Sequence, residues 1–352
     1  MKLKLDAMQQ AFKVVDFVEY NAALDSSQFV RLQRTGTVLH MSLTGTLWAA
    51  AEVKAGEEGK WTIYVDRRAL KAFLATASGS DIEVFYQKDK LTLKANQRLE
   101  VQARAPIAGY EVWKPQKSFD LPDDQKVILK TAVKYLPKAA GLDNVDAIYF
   151  AKDFGIIATD TLFMVAVIGT PVNSEFFLPG GVAGVLSDNQ AAIAPGKDGV
   201  GIVMPSGVVY QPLSSELDKY PVDKCKATVQ IVLKEKPLTQ IKADEMVKAL
   251  STASQFLMDK NEAALVEPGS NSTNLSITID MTTGRFQRHI PVVGSCKDVA
   301  PTKWPIKQLL PWFDYIVAVN SNAAVEYIKL GSAGAFRYKE GIVTQAFMFA
   351  DI

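Results

Sequence analysis

The sequence has little of what most catalytic and metal sites are built from. It holds two histidines, His40 and His289, and two cysteines, Cys225 and Cys296, in 352 residues. Neither histidine has a neighbour at metal-ligand spacing, and no C-x-x-C occurs, so a zinc site, a disulfide framework and a thiol nucleophile have no sequence support. No apolar run approaches the roughly 18 residues needed to cross a bilayer, and no membrane role is expected. The opening MKLKLDAMQQ lacks an apolar h-region, so a signal peptide is not expected and the cytoplasm is the expected location. The Asn-x-Ser/Thr sequons at Asn271 and Asn274 then read as chance. Charge of one sign is missing too: Lys+Arg 39 against Asp+Glu 38 gives a net charge of +1. Any contact with nucleic acid must therefore come from local concentration of cations.

What is present is a threefold internal order. Amphipathic helices are expected over about 7–19, 123–138 and 242–257, spaced by roughly one domain's length. The second opens on the acidic pair Asp123–Asp124, which suits a helix N-terminus. The third follows an expected strand, Thr228–Lys234. Alternating β-branched segments come after each helix. They are 29–33, 38–43 and 47–53 in the first third, 147–151, 156–159 and 162–168 in the second, and 263–266, 275–281 and 286–291 in the third. A strand then leads to a second helix (67–77, 182–186 and 306–316), and a strand meander closes each third: 81–104, 191–211 and 324–350. Pro311 falls inside the last of these helices and is expected to kink or shorten it. The reading is an α+β chain of three helix–sheet–helix–sheet domains, 1–115, 116–226 and 227–352, joined by linkers at 111–121 and 213–226.

The best enzyme-like feature is Pro179-Gly-Gly-Val-Ala-Gly184, a glycine turn between a strand and a helix. Such a turn can aim backbone N–H groups at a phosphate. It lacks the G-x-G-x-x-G order and a following Lys-Ser/Thr, and the repeat itself requires a turn there. A phosphate-ligand enzyme using Gly180–Gly184 remains the alternative to a binding scaffold with no catalytic residues, no metal and no cofactor.

Charge on the helices is more specific. Lys126, Lys130, Lys134 and Lys138 recur every fourth residue and drift only about 40° per step around a helix. Leu129, Ala132, Val133 and Leu136 lie opposite. In the first third Met8, Phe12 and Val15 face inward, with Gln9, Lys13 and Tyr20 outward. On the next helix Leu70, Phe73, Leu74 and Ala77 make the core face, Arg68 and Lys71 point away, and Arg67 sits at the edge. In the third, Met246, Val247, Leu250 and Leu257 face inward, with Lys248, Thr252 and Gln255 outward. Cationic faces on repeated helices suit a polyanion, and no base-reading motif accompanies them, so such contact would be to phosphates.

Short stretches of text carry a resemblance. Ala158-Thr-Asp-Thr-Leu-Phe-Met-Val-Ala-Val167 resembles the A-T-D-G-H-R-L-A-V segment in the middle domain of the bacterial DNA polymerase III β sliding clamps. Leu213-Ser-Ser-Glu-Leu-Asp-Lys-Tyr-Pro-Val222 resembles their F-P-D-Y stretch, Ala108-Gly-Tyr-Glu-Val-Trp113 their D-F-P-x-x-x-x-W segment, and Gln345-Ala-Phe-Met-Phe-Ala-Asp-Ile352 their terminal V-M-P-M-R-L strand. The family's Gly-His-Arg is replaced by Thr161-Leu162-Phe163, its terminal Pro by Phe349 and its terminal Arg by Asp351. These departures suit a distant member, such as a phage-type one acting in host cytoplasm.

The resemblance implies a DNA-clamp fold whose helices line the hole of a ring of two chains and whose sheet forms the outside. It implies a processivity factor that encircles duplex DNA without sequence preference. Its partners would be a DNA polymerase, a clamp loader, other replication or repair proteins bearing short linear motifs, and a second copy of itself. Lys13, Arg68, Lys71, Lys126, Lys130, Lys134 and Lys248 are then the DNA-facing candidates. A partner-peptide pocket is expected from Val145, Thr159, Leu162, Met164, Pro221, Met348, Phe349 and Ile352. Ring closure is expected to bring Leu99 and Val101 of one chain against Phe256 and Leu257 of the other.

Overall fold

Five apolar residues spaced at helical intervals start the chain's first helix, α1 (Leu5–Val15), directly after the strand Lys2–Lys4. The computed structural model describes residues 1–18, 25–45, 47–104, 118–120, 147–152, 154–160, 162–169, 175–183, 191–196, 198–213, 220–258 and 263–350. These fall into two units, Met1–Asp123 with Gly184–Leu213, and Asp124–Ala183 with Ser214–Ile352.

In the first unit a short helix α2 (Asp25–Gln28) leads into one long hairpin, Phe29–Thr44 against Trp48–Asp66. The segments expected at 29–33 and 38–43 are thus one strand, with a register shift between Gly36 and Val38. Helix α3 (Arg67–Thr76) begins where the Asp66 carboxylate accepts the Ala69 N–H at 2.8 Å, an N-cap bond. A four-stranded antiparallel sheet runs in the order Lys2–Lys4, Asp81–Gln87, Lys90–Lys94, Arg98–Gln102. The hairpin continues into a six-stranded sheet through Gly207–Pro212, Gly199–Met204, Ala192–Pro195 and Phe119–Asp120. Met8, Phe12 and Val15 of α1 and Leu70, Phe73 and Leu74 of α3 are buried. Gln9 is not an outward residue: its amide donates to Leu74 O at 2.8 Å and joins the two helices.

The second unit contains α4 (Gly180–Ala183), α5 (Val222–Lys234), α6 (Ala243–Ser254) and α7 (Ile306–Val319). Its twelve-stranded sheet runs in the order Phe176–Pro179, Ala147–Ala151, Gly155–Thr159, Phe163–Ile168, Val343–Phe349, Ala333–Glu340, Ala324–Leu330, Thr239–Lys242, Gly284–Val293, Asn274–Met281, Ala264–Pro268, Thr302–Trp304. Trp304, Trp312, Phe313, Tyr327, Phe336 and Phe347 fill one core beneath α6 and α7.

Two expectations fail here. Thr228–Lys234 is not a strand but the C-terminal half of α5, and the expected linker already contains the start of that helix. Cys225, Val229 and Val232 are its buried residues, an i, i+4, i+7 spacing that places them on one helical face despite the β-branched content. Of the kink or shortening expected at Pro311, the shortening is absent: α7 runs through it for 14 residues. At its sixth position Pro311 removes only the N–H that would reach Lys307 O, and Trp312, Phe313 and Ile316 remain fully buried.

The first and third thirds repeat each other closely. Lys4 pairs with Asp81 as Lys242 pairs with Ala324. The first helical N–H is bonded to a strand-entry carbonyl in both: Leu5 N to Ser80 O at 3.1 Å, and Ala243 N to Ala323 O at 2.8 Å. The middle helix expected over 123–138 lies outside the described residues.

Candidate functional site

The turn between Gly155–Thr159 and Phe163–Ile168 is held on every side. The Asp160 carboxylate accepts N–H bonds from Leu162 at 3.0 Å and Phe163 at 2.7 Å. Thr159 Oγ1 donates to Phe163 O at 2.8 Å, and the Ala350 N–H donates to Leu162 O at 2.9 Å. Burial raises the Asp160 pKa above the ordinary carboxylate value, opposed by those backbone donors. The result is a fixed turn that leaves Leu162 half exposed.

Next to it, Pro221 precedes α5, and the last turn of α5 is pinned from the sheet. Arg337 is buried; its Nη1 donates to Val232 O, Leu233 O and Glu235 O at 2.5, 3.0 and 3.2 Å. Its Nε meets Glu326 Oε2 at 2.5 Å. A buried guanidinium is tolerated there because it is paired and gathers the orphan carbonyls of the helix end.

Between the turn, the start of α5 and the end of the last strand lies an apolar cleft of about 370 Å³. Thr159, Leu162, Met164, Pro221, Met348 and Phe349 all line it, six of the eight residues expected to form a pocket. Val145 and Ile352 lie outside the described residues. The sequence reading missed Phe163, Lys224, Cys225, Thr228, Leu330, Ala333, Gly334 and Ala350, which complete the wall. Thr228 was hidden by reading 228–234 as a strand, and Cys225 by placing it in a linker. Gly334 gave no local signal; it pairs with Phe349, whose ring covers the place a Cβ would take. Burial pushes the Cys225 thiol up to about 11, so this wall residue is a neutral small hydrophobe. The cleft can seat aliphatic and aromatic groups, with Lys224 as a cation at its edge.

The described cations on the helices differ in their surroundings. Lys13 on α1 and Arg68 on α3 are exposed. Lys71 is exposed but its Nζ lies 2.7 Å from Asp16 Oδ2. Arg67 is buried and structural: it bonds Asp16 Oδ1 at 3.0 Å, Asp16 O at 3.0 Å and Val18 O at 2.6 Å, tying down the end of α1. Lys248 on α6 pairs with Glu245 at 2.7 Å and Asp244 at 3.3 Å, and hydrogen bonding to Glu245 above all raises its pKa. Lys126, Lys130, Lys134 and Lys138 lie outside the described residues.

Two strand edges stand out among the described residues. Arg98–Gln102 pairs with Lys90–Lys94 on one side only, and its Leu99 and Val101 are half-buried. Gly284–Pro291 pairs with Asn274–Met281 on one side, while only Val292 and Val293 beyond it are paired on the other. Phe256 is 39% exposed and stacks on Phe286 of that strand at 4.3 Å between centroids. Leu257 is different: it is buried in the core of this unit. Its carbonyl accepts the Lys307 ammonium at 2.7 Å. The glycine turn is a single helical turn, Gly180–Ala183, in which Val182 and Ala183 are buried; Gly184 lies outside the described residues.

No protein-family model and no curated protein matches the sequence. Solved structures do match over its full length. A DNA polymerase sliding clamp from Bacillus subtilis aligns with 100% of this chain and 98% of its own, at TM-score 0.79 and 11% identity. The DNA polymerase III subunit beta of Pseudomonas aeruginosa gives TM-score 0.80 at 13% identity, covering 100% and 99%. A sliding clamp from Bartonella birtlesii, solved bound to griselimycin, gives 0.82 at 13%, covering 100% and 98%. From its first strand to its last, this chain has the fold of the bacterial DNA polymerase III β-subunit sliding clamps.

Proposed function

We propose that the protein is a sliding clamp: two copies close head to tail around duplex DNA and tether a DNA polymerase, with no catalysis of their own. The observation that carries this reading is a rule in the strand pairing. With domains at 1–115, 116–226 and 227–352, the last strand of the second, Gly207–Pro212, pairs with Trp48–Ala50 of the first. The last strand of the third, Val343–Phe349, pairs with Phe163–Ile168 of the second. By the same rule the last strand of the first, Arg98–Gln102, belongs against Gly284–Pro291 of a third domain. Each chain offers one copy of both open edges. Open edges of this kind are liabilities unless covered, and mutual covering by two chains closes a ring.

The cations on α1 and α3, with the lysine row 126–138, then face the DNA phosphates, where topological enclosure makes weak contacts sufficient. The apolar cleft receives a short peptide from the polymerase, the clamp loader or another replication or repair protein, and apolar anchors give most of the affinity. Sedimentation at micromolar concentration tests closure: a dimer is expected, converted to a monomer by Leu99→Glu with Val101→Glu. A wild-type protein that sediments as a monomer would refute the ring.

A further inference from the structure

We propose that the partner peptide does not end in the apolar cleft but continues along one flank of α5, over Thr228 and Ile231. This rests on the cleft being a peptide site. Pro221, Lys224, Cys225 and Thr228 line the cleft where α5 begins. At 100° per residue Lys224, Thr228 and Ile231 fall within about 60° of one another, along one stripe of the helix. That stripe borders the buried face made by Cys225, Val229 and Val232.

The two flanks of α5 are not alike. On one side Val222 and Leu233 pack against the neighbouring core, and the Lys226 ammonium sits 5.1 Å from the Tyr149 ring centre. On the other, the stripe leaves the cleft and reaches Ile231, which is 51% exposed. An exposed isoleucine aligned with an apolar cleft extends its surface in one direction.

The geometry sets the chemistry of the occupant. Seven helical residues from Lys224 to Ile231 advance about 10 Å, which an extended chain covers in about three residues. The peptide therefore carries an apolar anchor for the cleft, an acidic residue beside the Lys224 ammonium, and a second aliphatic residue about three positions beyond the acidic one.

The test uses the full chain and a displayed random 12-residue peptide library, selected on the wild type and depleted on Leu162→Glu. Selected peptides, and versions cut back to the cleft anchor, are titrated by fluorescence anisotropy against wild type, Ile231→Ser and Lys224→Glu. Ile231→Ser is expected to weaken the long peptides by about tenfold, the scale of one lost aliphatic contact, and to leave the shortened ones unchanged. Lys224→Glu is expected to weaken the acidic peptides. Long peptides that are lost on Leu162→Glu yet bind both α5 variants as they bind wild type overturn the α5 track alone. If no peptide depends on Leu162, the cleft reading falls, and the track with it.

Discussion

Helix α1 buries Leu5, Met8, Ala11, Phe12 and Val15, and Val14 besides; α6 buries Ala243, Met246, Ala249, Leu250 and Ala253 at the intervals of the first five. Each packs beside a second helix, α3 or α7, and in each pair a cation from the first turn of that second helix bonds a carbonyl beyond the end of the first. The cores are variations on one solution, yet the outward faces are not. The α1–α3 face carries Lys13, Arg68 and Lys71, with Asp16 set among them. The α6 face opens with Asp244 and Glu245, which hold Lys248. Packing requirements preserve the spacing of apolar residues, while solvent-facing charge is free to diverge. On α6 the lysine is balanced by two carboxylates of its own helix.

The largest effect should come from breaking the tie that the two pairs share. Arg67→Met removes a buried guanidinium that bonds one carboxylate and several carbonyls, and should cost about 3 kcal/mol. Lys307→Met removes a single bond to Leu257 O and should cost about 1 kcal/mol. Hydrogen exchange read separately over 1–104 and 220–350 distinguishes them, and equal losses would show that the two ties are equivalent.

The charge difference gives a smaller effect, on DNA. On the proposed reading Lys13 contacts one phosphate, and Lys13→Ala should lower the slope of log affinity against log salt by about one. Lys248→Ala should leave the slope unchanged, since its charge is already shared with Asp244 and Glu245. A slope that falls as much for Lys248→Ala as for Lys13→Ala would show that α6 grips phosphate as well.

The smallest effect is a pH dependence present in one unit only. At equivalent registers the first unit has Asp81 opposite Lys4, and the second has Ala324 opposite Lys242. Hydrogen bonds from Lys4, Ser80 and Lys2 lower the Asp81 pKa from 3.8 to about 2. A carboxyl lowered on folding stabilises the fold above its unfolded value and loses that contribution as pH falls through the folded value. Between 3.8 and about 2 the first unit should therefore lose protection at Lys2–Lys4, and Asp81→Asn should abolish that dependence. Measuring amide protection at Leu5 and Ala243 over this range checks it; parallel behaviour at both would rule out the Asp81 contribution.

Much of this was legible in the residues because periodicity is a direct imprint of burial. Leu70, Phe73 and Leu74 announce α3, and the alternation in Asp81–Gln87 announces a strand. The cleft residues Thr159, Leu162, Pro221 and Met348 were reached through text shared with a family, since nothing local marks them as neighbours. Leu257 was read inward from its spacing with Leu250 and is buried, although it lies beyond the end of α6. The nature of α5 was misread. The run Thr228–Lys234 is rich in β-branched residues, and only the packing of Val229 and Val232 against the sheet settles it as helix.

By itself the sequence determined the helical spacing of apolar residues in α1 and α3, the alternation in Asp81–Gln87 and a net charge of only +1. Each of these depends on composition or on spacing along the chain. Tertiary structure alone decided which strand edges stay open among the described residues, that Lys71 and Lys248 share their charge with carboxylates, and that residues as distant as Thr159, Pro221 and Phe349 wall one cleft. Those properties depend on which segments meet in space, and hydrogen-bond pairing between strands far apart in the chain leaves no periodic trace in either strand.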